Sequence, residues 1–174
     1  MSTQQEKKLS IEKLDPKVRA EIDAWLTRFP EDQKQSGVLY ALRLAQEQNN
    51  GWLSEELMDA VADYLDLPHI AVYEVATFYS MYDLKPVGKH KISVCVNISC
   101  KLCGSDAILD HLKKRLNIGP GETTEDGRYT VKAVECLAAC SRAPALQVDD
   151  KHYYDNLTPE KIDQMLDELE KGDK

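Results

Sequence analysis

The residues of this sequence best suited to chemistry are its five cysteines. They fall in two groups with the spacings C-x4-C-x2-C and C-x3-C: Cys95, Cys100, Cys103, Cys136 and Cys140. Thiolates bind soft metals, and four of them can hold an iron–sulfur cluster or a zinc ion. Five cysteines cannot all pair as disulfides, and a reducing compartment disfavours disulfides altogether. The count therefore predicts a four-cysteine metal centre with one cysteine left over.

The spacing allows two choices of four ligands. Cys95, Cys100 and Cys103 with one later cysteine would imitate the C-x4-C-x2-C…C spacing of plant-type ferredoxins. Two cysteines from each group, Cys95, Cys100, Cys136 and Cys140, would use both members of the second pair, whereas the first choice leaves one idle. We favour the second choice and expect Cys103 to pack as a small apolar residue before a helix. Zinc remains open, since four-cysteine zinc sites also use closely spaced pairs.

Both cysteine groups come at the end of a predicted strand. Alternating and β-branched residues predict four strands, at 91–96, 129–134, 146–148 and 152–154. Amphipathic helices are predicted from Ser105 to Leu116 and after Thr158. This order is typical of an α/β layer structure in which helices cover a short sheet. Loops leaving such a sheet can direct backbone N–H groups towards negatively charged sulfurs.

The first half of the chain shows a helical period instead. Four helices are predicted, beginning at Asp15, near Gln35, after Ser54 and after Pro68, and Pro30 is expected to end the first of them. An aromatic run over residues 78–82 follows the last of them. We therefore predict two domains: a helical bundle over residues 1–85 and an α/β domain over residues 86–174.

Charge and hydropathy exclude several classes of protein. The chain carries 22 Lys plus Arg against 30 Asp plus Glu, a net charge of −8, which argues against a dedicated nucleic-acid binder. Residues 1–85 hold 15 acidic and 9 basic side chains, so most of the excess lies there. No apolar run approaches the ~18 residues of a membrane span and no signal peptide is evident, so we expect a soluble, cytosolic protein. Neither a dinucleotide fingerprint nor a phosphate-binding loop occurs.

Four stretches of the sequence carry a family resemblance. They are Val72–Tyr79, Val94–Cys100, Gly119–Thr124 and Val134–Cys140. Together with the frame C-x4-C-x35-C-x3-C, they closely resemble the two-iron (2Fe-2S) ferredoxin subunits of respiratory NADH:quinone oxidoreductase, the 24-kilodalton E type of complex I. The resemblance implies an α+β protein in which an N-terminal helical bundle precedes a thioredoxin-like domain.

The same resemblance implies the cofactor and its ligands. One 2Fe-2S cluster would be held by Cys95, Cys100, Cys136 and Cys140, while Cys103 departs from the family pattern. Small and apolar neighbours would limit water around the ligands: Val94, Val96, Ile98, Leu137, Ala138 and Ala139. Four cysteine ligands predict a low potential rather than the raised potential of histidine-ligated centres.

The function implied by the resemblance is electron transfer rather than substrate turnover. The cluster would exchange one electron with the FMN of a partner flavoprotein subunit that also binds NADH, and no catalytic residue is expected in this chain. Other peripheral-arm subunits would be partners, with no direct membrane insertion and no nucleic acid. The complex would lie in the cytoplasm against the inner face of the membrane, with the helical half as a docking module.

Two alternatives remain open at this point. The runner-up in the same chemistry is the equivalent diaphorase-module subunit of an NAD-linked hydrogenase or formate dehydrogenase. From another class, the chain would be a zinc-stabilised interaction domain without redox activity.

Overall fold

The computed structural model describes residues 4–172 and divides into two compact units, the first ending at Pro86 and the second beginning at Val87. Each unit has a hydrophobic core of its own. None of the helices in the described part of the chain is long and apolar enough to cross a membrane.

From residue 4 onward, the first unit is built from five α-helices. They are α1 (Gln4–Ile11), α2 (Pro16–Leu26), α3 (Val38–Gln48), α4 (Glu55–Leu65) and α5 (His69–Phe78), with a short 3-10 helix over Lys34–Gly37. Helix α4 starts where the Ser54 hydroxyl accepts a hydrogen bond from the Leu57 amide, and it ends at Asp66 in the left-handed conformation. It supplies six apolar residues to the core: Leu57, Met58, Ala60, Val61, Ala62 and Leu65.

Two details of this unit differ from the sequence prediction. Helix α1 was not predicted, because it buries no residue and so carries no apolar stripe. Helix α2 ends at Leu26, before Pro30, and Thr27 closes it by donating its hydroxyl to the Ala24 carbonyl at 2.9 Å.

The second unit contains a four-stranded mixed sheet. Its strands are β1 (His90–Cys95), β2 (Tyr129–Val134), β3 (Leu146–Val148) and β4 (His152–Tyr154), in the spatial order β2-β1-β3-β4. Strand β1 is central, parallel to β2 and antiparallel to β3. The helices are α6 (Ile98–Leu102), α7 (Ser105–Leu116) and α8 (Pro159–Gly172). The predicted α+β fold is confirmed, with the last three strands at the residues expected.

The core of this unit joins the sheet to its two long helices. Ile92 and Val94 of β1 pack with Leu112 of α7 and with Ile162 and Leu166 of α8. The residues of α7 and α8 that enter the core lie three and four positions apart, as a helix facing a sheet requires. Burial of this face therefore holds β1 at the centre of the sheet.

The parallel pairing of β1 and β2 decides where the cysteines lie. Cys95 at the end of β1 stands opposite Val134 at the end of β2. Parallel strands end at the same edge of a sheet, so the two loops that carry the remaining cysteines leave this edge side by side. The amide of Val96 continues the ladder by donating to the Val134 carbonyl at 2.9 Å.

Candidate metal centre

Cys95 and Cys100 form the buried side of the site. Cys95 is the last residue of β1, and its amide donates to the Ala145 carbonyl at 3.1 Å. Cys100 lies in α6, whose first turn is capped by the Asn97 side chain accepting from the Ile98 amide at 2.8 Å. The two cysteines are only 3% and 2% exposed. A short capped helix therefore returns the second sulfur to the strand that carries the first.

Electrostatics indicate that three of the cysteines lie close together. Burial raises the pKa of the Cys100 thiol, and a hydrogen bond with Cys95 and the negative charges of Cys95 and Cys140 raise it further. The backbone amide of Ala145 acts in the opposite direction. Thiolates brought together out of water are unfavourable unless a cation neutralises them. A bound cation would remove this penalty.

Cys136 and Cys140 form the exposed side of the site. Cys136 follows β2 by two residues, and its sulfur accepts a hydrogen bond from the Ala138 amide at 3.3 Å. Cys140 begins a 3-10 helix over Cys140–Arg142. Both side chains are exposed. The buried and exposed sides are linked by the Cys95 thiol, which donates to the Glu135 carbonyl at 3.8 Å.

The apolar surroundings are partly those predicted. Cys95 and Cys100 pack with the fully buried Ala145, and Leu137 and Ala139 pack against this group. Val94 is buried as expected. The prediction that Ile98 limits access of water is wrong, because Ile98 is 70% exposed.

Cys103 does not pack as a small apolar residue, and that prediction is wrong. The unpredicted helix α6 ends at Leu102, and Cys103 caps it by donating its amide to the Ser99 carbonyl at 3.1 Å. Gly104, with a φ of 97°, then turns the chain directly into α7. This tight junction leaves the Cys103 side chain exposed.

The arrangement of the cysteines is compatible with a cluster of two irons. Within residues 4–172, no three Cys, His, Asp or Glu side chains surround a single point as ligands of one ion. A four-cysteine [2Fe-2S] cluster does not require such a point, because each of its two irons takes two cysteines. Cys95 and Cys100 form one pair, at the end of β1 and in α6, and Cys136 and Cys140 form a second pair after β2.

A family comparison identifies the cofactor. The model of the thioredoxin-like [2Fe-2S] ferredoxins matches residues 22–170. The chain belongs to this family of thioredoxin-like [2Fe-2S] ferredoxins. Its cofactor is accordingly one [2Fe-2S] cluster, and the prediction of iron and sulfide is confirmed. The family also confirms the thioredoxin-like assignment of the α/β half.

Two curated relatives of this ferredoxin are subunits of the same kind of enzyme. A protein of Rickettsia felis (strain ATCC VR-1525 / URRWXCal2) is 46% identical over 143 residues, which cover 82% of this chain and 85% of the relative. A second, from Rhizobium meliloti (strain 1021), is 41% identical over 150 residues, or 86% and 87% of the two chains. Both relatives are named as NADH-quinone oxidoreductase subunits of the E type.

A solved structure has the same fold. The air-oxidized form of an NAD+-reducing [NiFe]-hydrogenase matches 78% of this ferredoxin with a TM-score of 0.66 and 23% sequence identity. The chain spans only 23% of the length of that hydrogenase chain. At this identity the similarity establishes the fold alone.

Proposed function

We propose that this chain is the electron-carrying, E-type subunit of an NADH-quinone oxidoreductase, with its [2Fe-2S] cluster on Cys95, Cys100, Cys136 and Cys140. The observation that carries the proposal is the convergence of two cysteine-bearing loops at the common edge of β1 and β2. The identity of the chain to relatives named as such subunits, 41–46% over more than four fifths of its length, supports the parent enzyme.

The cluster, when bound, accepts and releases one electron at a time. The chain's own residues hold it and control its surroundings. Cys95 and Cys100 bind it from the buried side, where Ala145 packs against both and excludes water. Cys136 and Cys140 bind it from the exposed side, which leaves that side open for approach by a redox partner. All-cysteine ligation predicts a low potential.

We propose that the chain is a carrier without an active site of its own. It has neither a dinucleotide fingerprint nor a phosphate-binding loop for NADH. The electron is therefore exchanged with a partner flavoprotein subunit that holds FMN and binds NADH. Other peripheral-arm subunits complete the assembly, on the cytoplasmic side of the membrane.

The helical half, residues 1–85, is proposed as the docking module, and residues 86–174 as the ferredoxin module. Helix α5 ends at Phe78, and from there to Leu84 the chain exposes four large apolar side chains, which we call the aromatic patch: Phe78, Tyr79, Met81 and Leu84. Phe78 is 80% exposed and stands edge-to-face against Tyr79 at 5.0 Å between ring centres. Aromatic residues and methionine are enriched in protein interfaces, which supports a partner subunit on this patch.

Buried Tyr82 fixes the orientation of the aromatic patch. Its hydroxyl donates to the Leu39 carbonyl at 2.7 Å, and its ring stands edge-to-face with that of Tyr79. The chain after α5 is thus attached to the core at Tyr82. The patch side chains before and after this anchor are left facing outward.

The ligand set is tested by replacing each cysteine with serine. We expect Cys95→Ser, Cys100→Ser, Cys136→Ser and Cys140→Ser each to lose most of the iron and acid-labile sulfide. Cys103→Ser is the matched control, since it makes the same chemical change at an exposed cysteine outside the proposed set. Loss of the cluster in Cys103→Ser, or its full retention in one of the other four, would contradict the assignment.

The parent complex is tested by the subunits that accompany the chain. We expect a flavoprotein with bound FMN and no nickel–iron subunit to co-purify with the tagged chain from its native host. Recovery of a hydrogenase or formate dehydrogenase large subunit would assign the chain to the alternative. The 41–46% identity to relatives named as NADH-quinone oxidoreductase subunits favours the first result.

A further inference from the structure

Ala138 has a backbone conformation that its residue type disfavours. Its φ is 55°, in the left-handed region, where the Cβ of an L-residue approaches the following carbonyl oxygen. Six other non-glycine residues in the described part of the chain have positive φ, and all are Asn or Asp: Asn50, Asp66, Asn117, Asp149, Asp150 and Asn156. Asn and Asp tolerate this region far better than alanine. Ala138 is therefore the unusual member of the set.

Packing of the methyl group does not account for this conformation. The Ala138 side chain is exposed, so no core contact fixes it in place. What the conformation does fix is the direction of the backbone. The Ala138 amide donates to the Cys136 sulfur at 3.3 Å. Residues held in disfavoured backbone regions concentrate at functional sites, where the surrounding structure maintains the strain.

Backbone N–H groups directed at an anion are a feature of many iron–sulfur sites. Hydrogen bonds to the sulfurs are one of the means by which a protein sets the cluster's potential.

We propose that Ala138 is a positioning residue for the redox potential of the cluster. Its left-handed conformation holds its amide on the Cys136 sulfur, and this hydrogen bond favours the reduced state, whose sulfurs carry more negative charge. The inference rests on the proposed function, because it requires Cys136 to be a ligand. The side chain of residue 138 takes no part except through the backbone conformation it permits.

The test compares substitutions of similar size and opposite backbone preference. Ala138→Val introduces a β-branched side chain that the left-handed region excludes, whereas Ala138→Asn introduces one that the region accepts. In a one-electron titration of the holoprotein, we expect Ala138→Val to lower the equilibrium constant for reduction by about tenfold, a negative shift of about 59 mV. Ala138→Asn and Ala138→Gly should keep the wild-type potential. An unchanged potential in Ala138→Val, or an equal shift in Ala138→Asn, would overturn the proposal.

A second measurement covers the case in which Ala138→Val does not retain its cluster. The reduced wild-type protein should show a magnetic coupling to an exchangeable proton that disappears in D2O, and Ala138→Asn should show the same coupling. Absence of this coupling in wild type overturns the proposal. The variant Cys136→Ser distinguishes a wrong ligand set from a wrong role for Ala138. Full cluster retention in that variant refutes the ligand set, whereas cluster loss there with an unchanged Ala138→Val potential refutes the role of Ala138 alone.

Discussion

Cys95 is the direct partner of Val134 in the parallel ladder between β1 and β2. This one pairing brings together two loops that are far apart in the sequence. The segment after Cys95 carries Cys100 in helix α6, and the segment after Val134 carries Cys136 and Cys140. A shift of the ladder by one residue would turn the Cys95 side chain to the other face of the sheet. The register of β1 against β2 is therefore part of the metal centre.

Removing the most exposed ring of the aromatic patch should weaken attachment to the partner. We expect Phe78→Ala to raise the Kd for the flavoprotein subunit at least about tenfold, because buried aromatic anchors carry much of the energy of an interface. Binding is measured by titration of the purified subunits. Tyr153→Ala removes a ring that is 52% exposed in the second unit and should leave the Kd unchanged. Equal effects of the two substitutions would count against docking through the aromatic patch.

The buried hydroxyl of Tyr82 predicts loss of stability at alkaline pH. Burial raises the pKa of Tyr82 from 10.0 to about 12. The pKa of Tyr82 is higher in the folded state than in the unfolded state. The Tyr82 hydroxyl therefore contributes fully to the free energy of unfolding below pH 10, and this contribution is lost as the pH rises from 10 towards 12. At neutral pH, Tyr82→Phe should cost about 1 kcal/mol through loss of the hydrogen bond to Leu39.

Thermal melting followed by circular dichroism at several pH values tests this prediction. The gap in melting temperature between wild type and Tyr82→Phe should narrow above pH 10. Tyr153→Phe is the control, since its side chain is largely exposed and should show no such gap. A gap for Tyr82→Phe that stays constant through pH 12 would argue against the burial of this hydroxyl.

Gly88 lies where the chain approaches β2 before entering β1. A Cβ built there would stand 2.8 Å from the Tyr129 carbonyl carbon and 2.9 Å from its amide nitrogen, and the Gly88 amide donates to the Thr130 hydroxyl at 2.6 Å. Backbone atoms cannot yield as a side chain can, so Gly88→Ala should push β1 from β2. We expect a loss of about 1–3 kcal/mol, or several degrees in melting temperature.

Gly119→Ala is the matched control for Gly88→Ala. The nearest atom to its built Cβ is the Glu122 carboxylate oxygen at 3.4 Å, the end of a flexible side chain. This variant should melt close to wild type. If Gly88→Ala also melts as wild type does, the close approach of the chain to Tyr129 is not rigid.

Much of the second unit could be predicted from sequence because its elements carry their own patterns. The run Tyr129–Val134 is β-branched and alternating, and the pair Asp149-Asp150 forms the turn between β3 and β4 with φ values of 54° and 55°. The closely spaced Cys136 and Cys140 indicated the second pair of proposed ligands. Local sequence is sufficient to predict an element where its hydrophobic period and the turn residues at its ends indicate the same structure.

The remaining features depend on tertiary structure. Helix α6 has five residues, too few to show a helical period, and it is this helix that exposes Cys103 and Ile98. The left-handed conformation of Ala138 had no signal in the sequence, because alanine is not a residue type that marks this region. Both features follow from closing two loops around one centre, which no local pattern encodes.

The central claim is that this chain holds a [2Fe-2S] cluster that carries one electron. Electron paramagnetic resonance of the isolated holoprotein, titrated with dithionite, tests it most directly. We predict a red-brown protein that bleaches on reduction and develops one unpaired spin for every two irons, with a one-electron titration curve at low potential. A colourless protein with one zinc per chain and no signal after reduction would contradict the account.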